Sequence, residues 1–426
     1  MSKNIVILVT AMEHVLFAKR LINQAKERGC VLYLVTPHAA LFRRLRYDMQ
    51  IAGRAVLITA QSGADKQDSD CFRHAVEVLT GHFTAQGAVC LAGHVRQTLD
   101  KLDGQRLQCL LLFNGCKTVD LAAKAWAQQK NIPYLIVEYA NLPGKTFVDS
   151  AGGNAYSTLF REPQLLDELY RRDSHTLDHE YASWREDYLQ AKETGHRVLQ
   201  AGDGHKQLNR LSLLERLSDR VHLARLLAQP LYPLEAVTRR AATMRTSLHC
   251  QPVAIPYDEV PETSLPTLDY VFFPLQVSSD TQLLLHGGGY DNVSGVRKAW
   301  KIAQKMQAEL LVKPHPAETS QSSLAAVAAW QRKLGFRLVT GNTFQLIKHA
   351  RKVVTINSTA GLEAKIAGVE TVFLGRSFYQ QFNETRIKAY VLRYLCSFDY
   401  FDYHSGLSAE QWDDLMSRLA PAPKGA

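Results

Sequence analysis

The sequence predicts an α/β protein: two Rossmann-like domains with a cleft between them, joined by a linker and carrying a helical insertion. Three observations predict it. Apolar β-type runs alternate with amphipathic helical runs at both ends of the chain, the rhythm of βαβ units and a parallel sheet. The stretch from 162 to about 248 lacks convincing strands and is rich in Leu, Arg and Glu. A proline-rich stretch, "QPVAIPYDEVPETSLP", separates that section from a second alternating region. At 426 residues, 46% hydrophobic and 21% charged, the chain is long enough for two cores.

Taken in order, "NIVILVT" is a strand and "HVLFAKRLINQAKERG" a helix, with Gly29 where a C-cap belongs. "VLYLVT", "QCLLLFNG" and "YLIVE" are further strands, and "VDLAAKAWAQQKN" is a helix. Within the helical section 162–248, leucines at 208, 211, 214 and 217, continued by Val221 and Ala224, form a stripe. Arg210, Arg216, Arg220 and Arg225 lie largely off it. After the prolines, "YVFFPLQ", "AELLVKP", "FRLVTG", "KVVTINS" and "ETVFLG" read as strands, with helices starting near Val293, Gln321, Thr343 and Thr359. The division is residues 1–250 for the first domain, 251–268 for the linker and 269–426 for the second domain.

Composition narrows the function. No apolar run approaches the length that spans a bilayer. The start, "MSKNIVILVTAMEH", reads as a first strand rather than a signal peptide, so a cytoplasmic protein is expected. The seven cysteines form no C-x-x-C pair and read as reduced core thiols. A net charge of +9 favours acidic partners such as anionic lipid or phosphorylated small molecules. Nucleic acid is not expected, because aromatics are not interleaved with a basic run.

The usual nucleotide signatures fail. No G-x-G-x-x-G follows the first strand, "NGCKT" lacks the P-loop spacing, and no metal-ligand cluster stands at a recognised spacing. "HGGGY" (286–290) reads as a flexible loop, with a place on the cleft wall open to it. Four constellations remain, all at expected strand ends, the edge where α/β proteins bind ligands. "PLQVSSD" carries Gln276 and Asp280. "KPHP" carries Lys313 and His315; a histidine between two prolines is stiffly presented, as a turn residue or as a ligand. "INSTAGLEAKIAG" runs a strand into a helix start at Ser358 or Thr359, a phosphate site or a plain N-cap. "VEYANLPGKTFVDSAGGNAYS" carries Glu138, Asn141, Asp149 and Asn154, either around an acceptor or in an ordinary polar loop. Together they set two carboxylates, an imidazole and an anion site around one expected cleft.

"PLQVSSD", "KPHP" and "TINSTAGLEAKIAGVETVFLGRSFY" resemble the capsule-polysaccharide synthesis family of bacterial Kdo transferases. The upstream series from Phe113 to Asn154, with Asn114 in "FNG", is similar to the same family's first domain, most of all in capsule-initiating members that act on a lipid. The resemblance covers residues 110–160 and 270–380. It implies a fold of the GT-B type, CMP-β-Kdo as donor, a retained β-linkage and no cofactor. It implies that His315 and Ser358–Thr359 hold the CMP moiety, with Gln276 and Lys313 beside it. Asp280 falls on the expected nucleophile position and Glu138 on an acidic position of the acceptor domain, near Asn114, Asn141, Asp149 and Asn154. The partners implied are CMP-Kdo, a lipid or oligosaccharide acceptor, and anionic lipid of the inner membrane at the Arg-rich section. Two other readings stand beside this one: an inverting sialyltransferase-like GT-B enzyme, and a non-catalytic protein of capsule assembly or export.

Overall fold

The apolar run "NIVIL" becomes a strand buried on both sides. β1 (Lys3–Leu8) sends Ile5 and Ile7, with Val9 beyond its end, into one core, and Val6 and Leu8 into another. Burial on both faces is what a helix-covered parallel sheet demands. The structure, a computed structural model, describes residues 3–48, 54–61, 69–103, 107–194, 211–236, 238 and 257–419. These fall into two compact units. The first comprises 1–158, 198–240 and 394–426, and the second 159–197 and 241–393.

In the first unit, β1 is joined by β2 (Cys30–Thr36), β3 (Ala55–Leu57), β4 (Leu107–Phe113), β5 (Tyr134–Tyr139) and β6 (Thr146–Asp149) in the order β3-β2-β1-β4-β5-β6. All neighbours are parallel except β6, which runs antiparallel to β5. The chain winds outward both ways from β1 and β4, so the switch point of a doubly wound sheet lies there. The helix expected after β1 forms as two, Met12–Arg20 and Ile22–Glu27, because the Leu21 N–H closes a tight turn onto the Ala18 carbonyl. Gly29 takes φ +66, as its C-cap position requires.

The second unit holds β7 (Tyr270–Pro274), β8 (Glu309–Lys313), β9 (Arg337–Leu338), β10 (Lys352–Thr355) and β11 (Thr371–Phe373), all parallel, in the order β11-β10-β7-β8-β9. All five residues of β7 are buried. The helices Asn292–Met306, Gln321–Leu334, Thr343–Lys348 and Ala360–Ala367 start where the sequence places them. Asp291, Ser320 and Asn342 cap the first three by accepting backbone N–H bonds at 2.7, 3.2 and 2.8 Å.

The division expected from sequence needs three corrections. Residues 394–426 belong to the first unit, not the second. Cys396, Phe398, Tyr400, Leu407, Trp412 and Leu415 complete the core on one face of the first sheet, and Cys396 bridges to Thr146 beside its edge strand. The helical section 162–248 is split. Its long helix Gln164–Glu193 belongs to the second unit, held by Asp167–Arg386 at 2.6 Å, Lys192–Glu363 at 2.6 Å and Glu180–Arg393 at 2.8 Å. Helix Leu213–Leu226 belongs to the first unit. The linker 251–268 lies outside the described residues up to 256; from Tyr257 on it is part of the second unit. The Asp258 N–H bonds the Leu338 carbonyl at 2.7 Å and Leu265 is buried.

The leucine stripe faces outward over most of its described length. Leu223, Ala224 and Leu226 are buried, whereas Leu214, Leu217 and Val221 are exposed; Leu208 and Arg210 lie outside the described residues. Among the described cysteines Cys30, Cys109, Cys116 and Cys396 are buried thiols, Cys90 is half-buried and Cys71 is exposed. No helix among the described residues is long and apolar enough to cross a membrane.

Candidate active site

At the carboxyl edge of the second sheet, β10, β7 and β8 are adjacent. Past β7, the Gln276 N–H donates to Asn292 Oδ1 at 3.0 Å and its carbonyl accepts from Asn292 Nδ2 at 2.7 Å. Its side chain crosses to the end of β10. Nε2 donates to Asn357 Oδ1 at 2.8 Å, and Oε1 accepts the Asn357 N–H at 3.1 Å. Gln276 is buried with both ends of its amide engaged, so it ties two strand ends together rather than lining the site. Asn357 Nδ2 donates onward to the Gln282 carbonyl at 2.7 Å, which anchors the short helix Thr281–His286.

That helix begins at Asp280. Its Oδ1 accepts the Gln282 N–H at 2.9 Å; its Oδ2 makes no hydrogen bond among the described residues. Burial raises the Asp280 carboxyl above its ordinary value, against the pull of His315. His315, past β8, accepts the Ala317 N–H on Nδ1 at 3.1 Å, which leaves the ring proton on Nε2. Burial lowers the imidazole pKa, and Asp280 opposes that fall. The two strand ends therefore set a carboxylate and an imidazole within each other's field. Glu318, which the sequence reading left unassigned, braces both loops: Oε2 accepts the Ser278 N–H at 2.7 Å and Oε1 the Ser320 N–H at 2.7 Å. It stands three residues past His315, inside the same "KPHPAE" stretch.

Lys313 Nζ donates to Thr343 Oγ1 at 2.6 Å, so the ammonium is held toward the β9 side, its pKa lowered by burial. Past β10, Ser358 Oγ accepts the Ala360 N–H at 3.2 Å; Thr359 is helical in backbone and makes no side-chain cap. Of the two hydroxyls, Ser358 is the cap. The HGGG segment lies at the same edge. A Cβ on Gly375, just past β11, would meet the His286 and Gly287 carbonyls at 2.7 and 3.0 Å.

In the first unit, Glu138 lies on β5 opposite Phe147 of β6. Its carboxylate rests on the backbone of Gly153. Its charge reaches the Cys116 thiol, pushed up first by burial and then by Glu138. At the β1/β4 switch point, Lys117 Nζ donates to Thr10 Oγ1 at 2.7 Å. Beside it, burial lifts the Asp120 carboxyl to about 7 against the pull of Lys117. The sequence reading dismissed "NGCKT" for its spacing; only the pairing of β1 with β4 brings Lys117 to Thr10.

Asp149 does not stand free for an acceptor, as the sequence led one to expect. Oδ1 accepts from the Ala151 and Gly152 N–H groups at 2.6 and 3.1 Å and from Thr158 Oγ1 at 3.1 Å; Oδ2 accepts from the Thr158 N–H at 2.9 Å and the Tyr394 hydroxyl at 2.7 Å. It is buried and organises the loop. Asn114, Asn141 and Asn154 share a backbone role, at φ +69, +56 and +41, in the left-handed region that asparagine tolerates. Among the described residues no group of three or more His, Cys, Asp or Glu could hold a metal ion.

The chain thus forms two Rossmann-like α/β units, the second with its polar side chains gathered where parallel strands end, the edge at which such sheets bind ligands. Residues 213–385 match the family described as capsule polysaccharide biosynthesis protein. The match takes in Gln276, Asp280, Lys313, His315, Ser358 and Thr359, and leaves Glu138 outside. The protein FixF of Sinorhizobium fredii (strain NBRC 101917 / NGR234) is 36% identical over 118 residues, 26% of this chain and 27% of FixF. The chain thus spans about a quarter of that relative's length. The capsule polysaccharide export protein KpsS of Escherichia coli is 25% identical over 285 residues, 63% of this chain and 67% of KpsS. Among solved structures, the β-Kdo 2,7 transferase of Thermosulfurimonas dismutans KpsC aligns over 98% of this chain and 100% of its own, at 12% identity and a TM-score of 0.40. The β-Kdo 2,4 transferase of the same KpsC aligns over 67% and 79%, at 16% identity and a TM-score of 0.32.

Proposed function

We propose that the protein is a retaining glycosyltransferase that moves Kdo from CMP-β-Kdo to a lipid or glycan acceptor in capsule or related surface-polysaccharide synthesis. The observation that carries this reading is the meeting of Asp280 and His315 at adjacent strand ends, beside the Ser358 helix start. His315 Nε2–H and the backbone N–H groups after Ser358 take the CMP phosphate and stabilise its charge as it departs, without a metal. Asp280 Oδ2 attacks the anomeric carbon as the bond to the CMP phosphate breaks, forming a glycosyl ester. The acceptor hydroxyl then displaces Asp280 and yields its proton to a general base, the role that the resemblance implies for Glu138. Two displacements restore the starting configuration. Gln276, Asn357 and Glu318 act as positioning residues, since they hold the loops that present Asp280 and His315. The reaction runs in the cytoplasm, with the protein in contact with the inner membrane.

Incubation with CMP-Kdo and candidate acceptors, followed by NMR of the product's anomer and linkage, tests the reading. A β-Kdo product supports it. An inverted product points to the sialyltransferase-like alternative. No turnover of CMP-Kdo, by transfer or hydrolysis, would favour an assembly or export role, which the name of the KpsS relative keeps in view.

A further inference from the structure

Helix Leu213–Leu226 has an unusual division of side chains. At 100° per residue, Leu213, Leu214, Leu217 and Val221 fall within an arc of about 100°. All four are exposed, Leu213 at 83% and Leu214 at 80%. The opposite face holds the helix to its own unit. Leu223 and Leu226 are buried in the core, and His222 Nε2 meets the Ile58 carbonyl at 2.9 Å. The acids of the helix also point inward. Asp219 accepts from His38 Nδ1 at 2.9 Å, and Glu215 takes Arg44 at 3.0 and 3.2 Å. What remains outward among the leucines is basic. Arg220 and Arg225 stand on either side of the apolar arc, Arg216 stands beyond Arg220, and none of the three is ion-paired among the described residues.

The neighbouring helix Ala39–Arg46 extends the surface. The Arg44–Glu215 and His38–Asp219 contacts lay it antiparallel against Leu213–Leu226. It carries exposed Arg43 and Arg46 and ends at Tyr47, which is 88% exposed. An aromatic at the edge, leucines on the face and arginines at the rim are the parts of a helix that lies in a membrane interface.

We propose that this two-helix face docks the protein flat on an anionic lipid bilayer, with Leu213, Leu214 and Leu217 entering the acyl boundary and the arginines meeting lipid phosphates. The choice of a lipid surface over another protein rests on charge: both carboxylates of the helix are consumed internally, so the face opposes its partner with positive charge alone. The proposal deepens the membrane part of the reading above, and its test does not involve the transfer reaction.

The full-length protein is floated with vesicles of about one-third phosphatidylglycerol in phosphatidylcholine, and with pure phosphatidylcholine. Binding should favour the anionic vesicles and fall as salt rises from about 0.1 to about 0.5 M. Leu214→Glu/Leu217→Glu should abolish it. Arg216→Gln/Arg220→Gln/Arg225→Gln should weaken it on the order of a hundredfold, at roughly fivefold per arginine. Unchanged thermal melting and unchanged CMP affinity show that both variants fold. Equal binding to the two vesicle types, or undiminished binding by the leucine variant, overturns the proposal. So does a concentration-dependent dimer that the leucine variant dissolves, which would put a second copy on the face. Amide exchange protection of 213–217 without lipid, with no flotation, would put a segment of this chain there, and would equally overturn it. Loss of flotation with transfer intact, or the reverse, separates this proposal from the transferase reading.

Discussion

The carboxylate of Glu138 rests against Gly153: a Cβ built on that glycine would stand 2.6 Å from Oε2 and 2.7 Å from Oε1. Any side chain at 153 therefore moves the carboxylate. Gly153→Ala should slow transfer in the same direction as Glu138→Gln, which keeps the shape and removes the base, by roughly 10²–10⁴-fold. CMP affinity should stay at the parent value in both. Steady-state kinetics beside CMP titration reads the two effects apart, and a fully active Glu138→Gln enzyme would remove Glu138 from the mechanism.

Asp280 both caps a helix and offers a free oxygen, and one substitution separates the roles. Asparagine caps a helix as well as aspartate, so Asp280→Asn should melt within about 0.5 kcal/mol of the parent and bind CMP normally. Its transfer should fall by orders of magnitude, because an amide cannot form the glycosyl ester. Asp280→Ala should lose the cap as well, about 1 kcal/mol. Mass spectrometry of the parent held with CMP-Kdo and no acceptor should find Kdo on the peptide containing Asp280. Near-normal turnover by Asp280→Asn counts against the nucleophile.

His315 keeps its proton on Nε2 because Nδ1 is occupied by the Ala317 N–H. His315→Ala should weaken CMP binding by about 1.5–3 kcal/mol, the worth of a charge-assisted hydrogen bond, with thermal stability little changed. Isothermal titration decides it; parent-like affinity would return His315 to the role of a turn residue.

Asp149 accepts five hydrogen bonds in a buried loop. Asp149→Ala should cost about 3–5 kcal/mol in urea unfolding, since it strands several buried donors at once. Whatever remains folded should bind CMP as the parent does, which marks a structural residue and not an acceptor contact.

Burial and the nearby Arg376 guanidinium push the His286 imidazole down to about 4 from the ordinary 6.5. The folded state thus resists a proton that the unfolded chain accepts. His286 leaves stability whole above pH 6.5 and subtracts from it as pH falls toward 4, by about 3 kcal/mol across that window. His286→Asn should flatten the slope of unfolding free energy against pH between those limits. An unchanged slope would place the acid sensitivity in other groups.

The fold was legible where local chemistry speaks for itself. β7 reads as a strand because its apolar run is buried throughout, and the helices after Asp291, Ser320 and Asn342 read correctly because each cap residue announces its own turn. Gly29 marked a helix end for the same reason. The strand-end motifs were legible too, since Asp280, His315 and Ser358 follow runs whose direction the pattern sets.

What the sequence by itself determined is therefore the α/β rhythm, the strand ends and the residue types gathered at them, all products of periods and caps within a few residues. Tertiary structure alone decided the rest. It returned residues 394–426 to the first unit, because Phe398, Tyr400 and Trp412 complete a core seeded by β1 almost four hundred residues earlier. It joined Gln276 to Asn357 and Asp149 to Tyr394, ties that no local pattern announces. It also rotated helix Leu213–Leu226 so that Asp219 reached His38 and the leucine stripe faced outward. A periodic pattern names an apolar face but not the side it turns to. That depends on partners distant in sequence, whose hydrogen bonds and buried area exist only once the chain has closed.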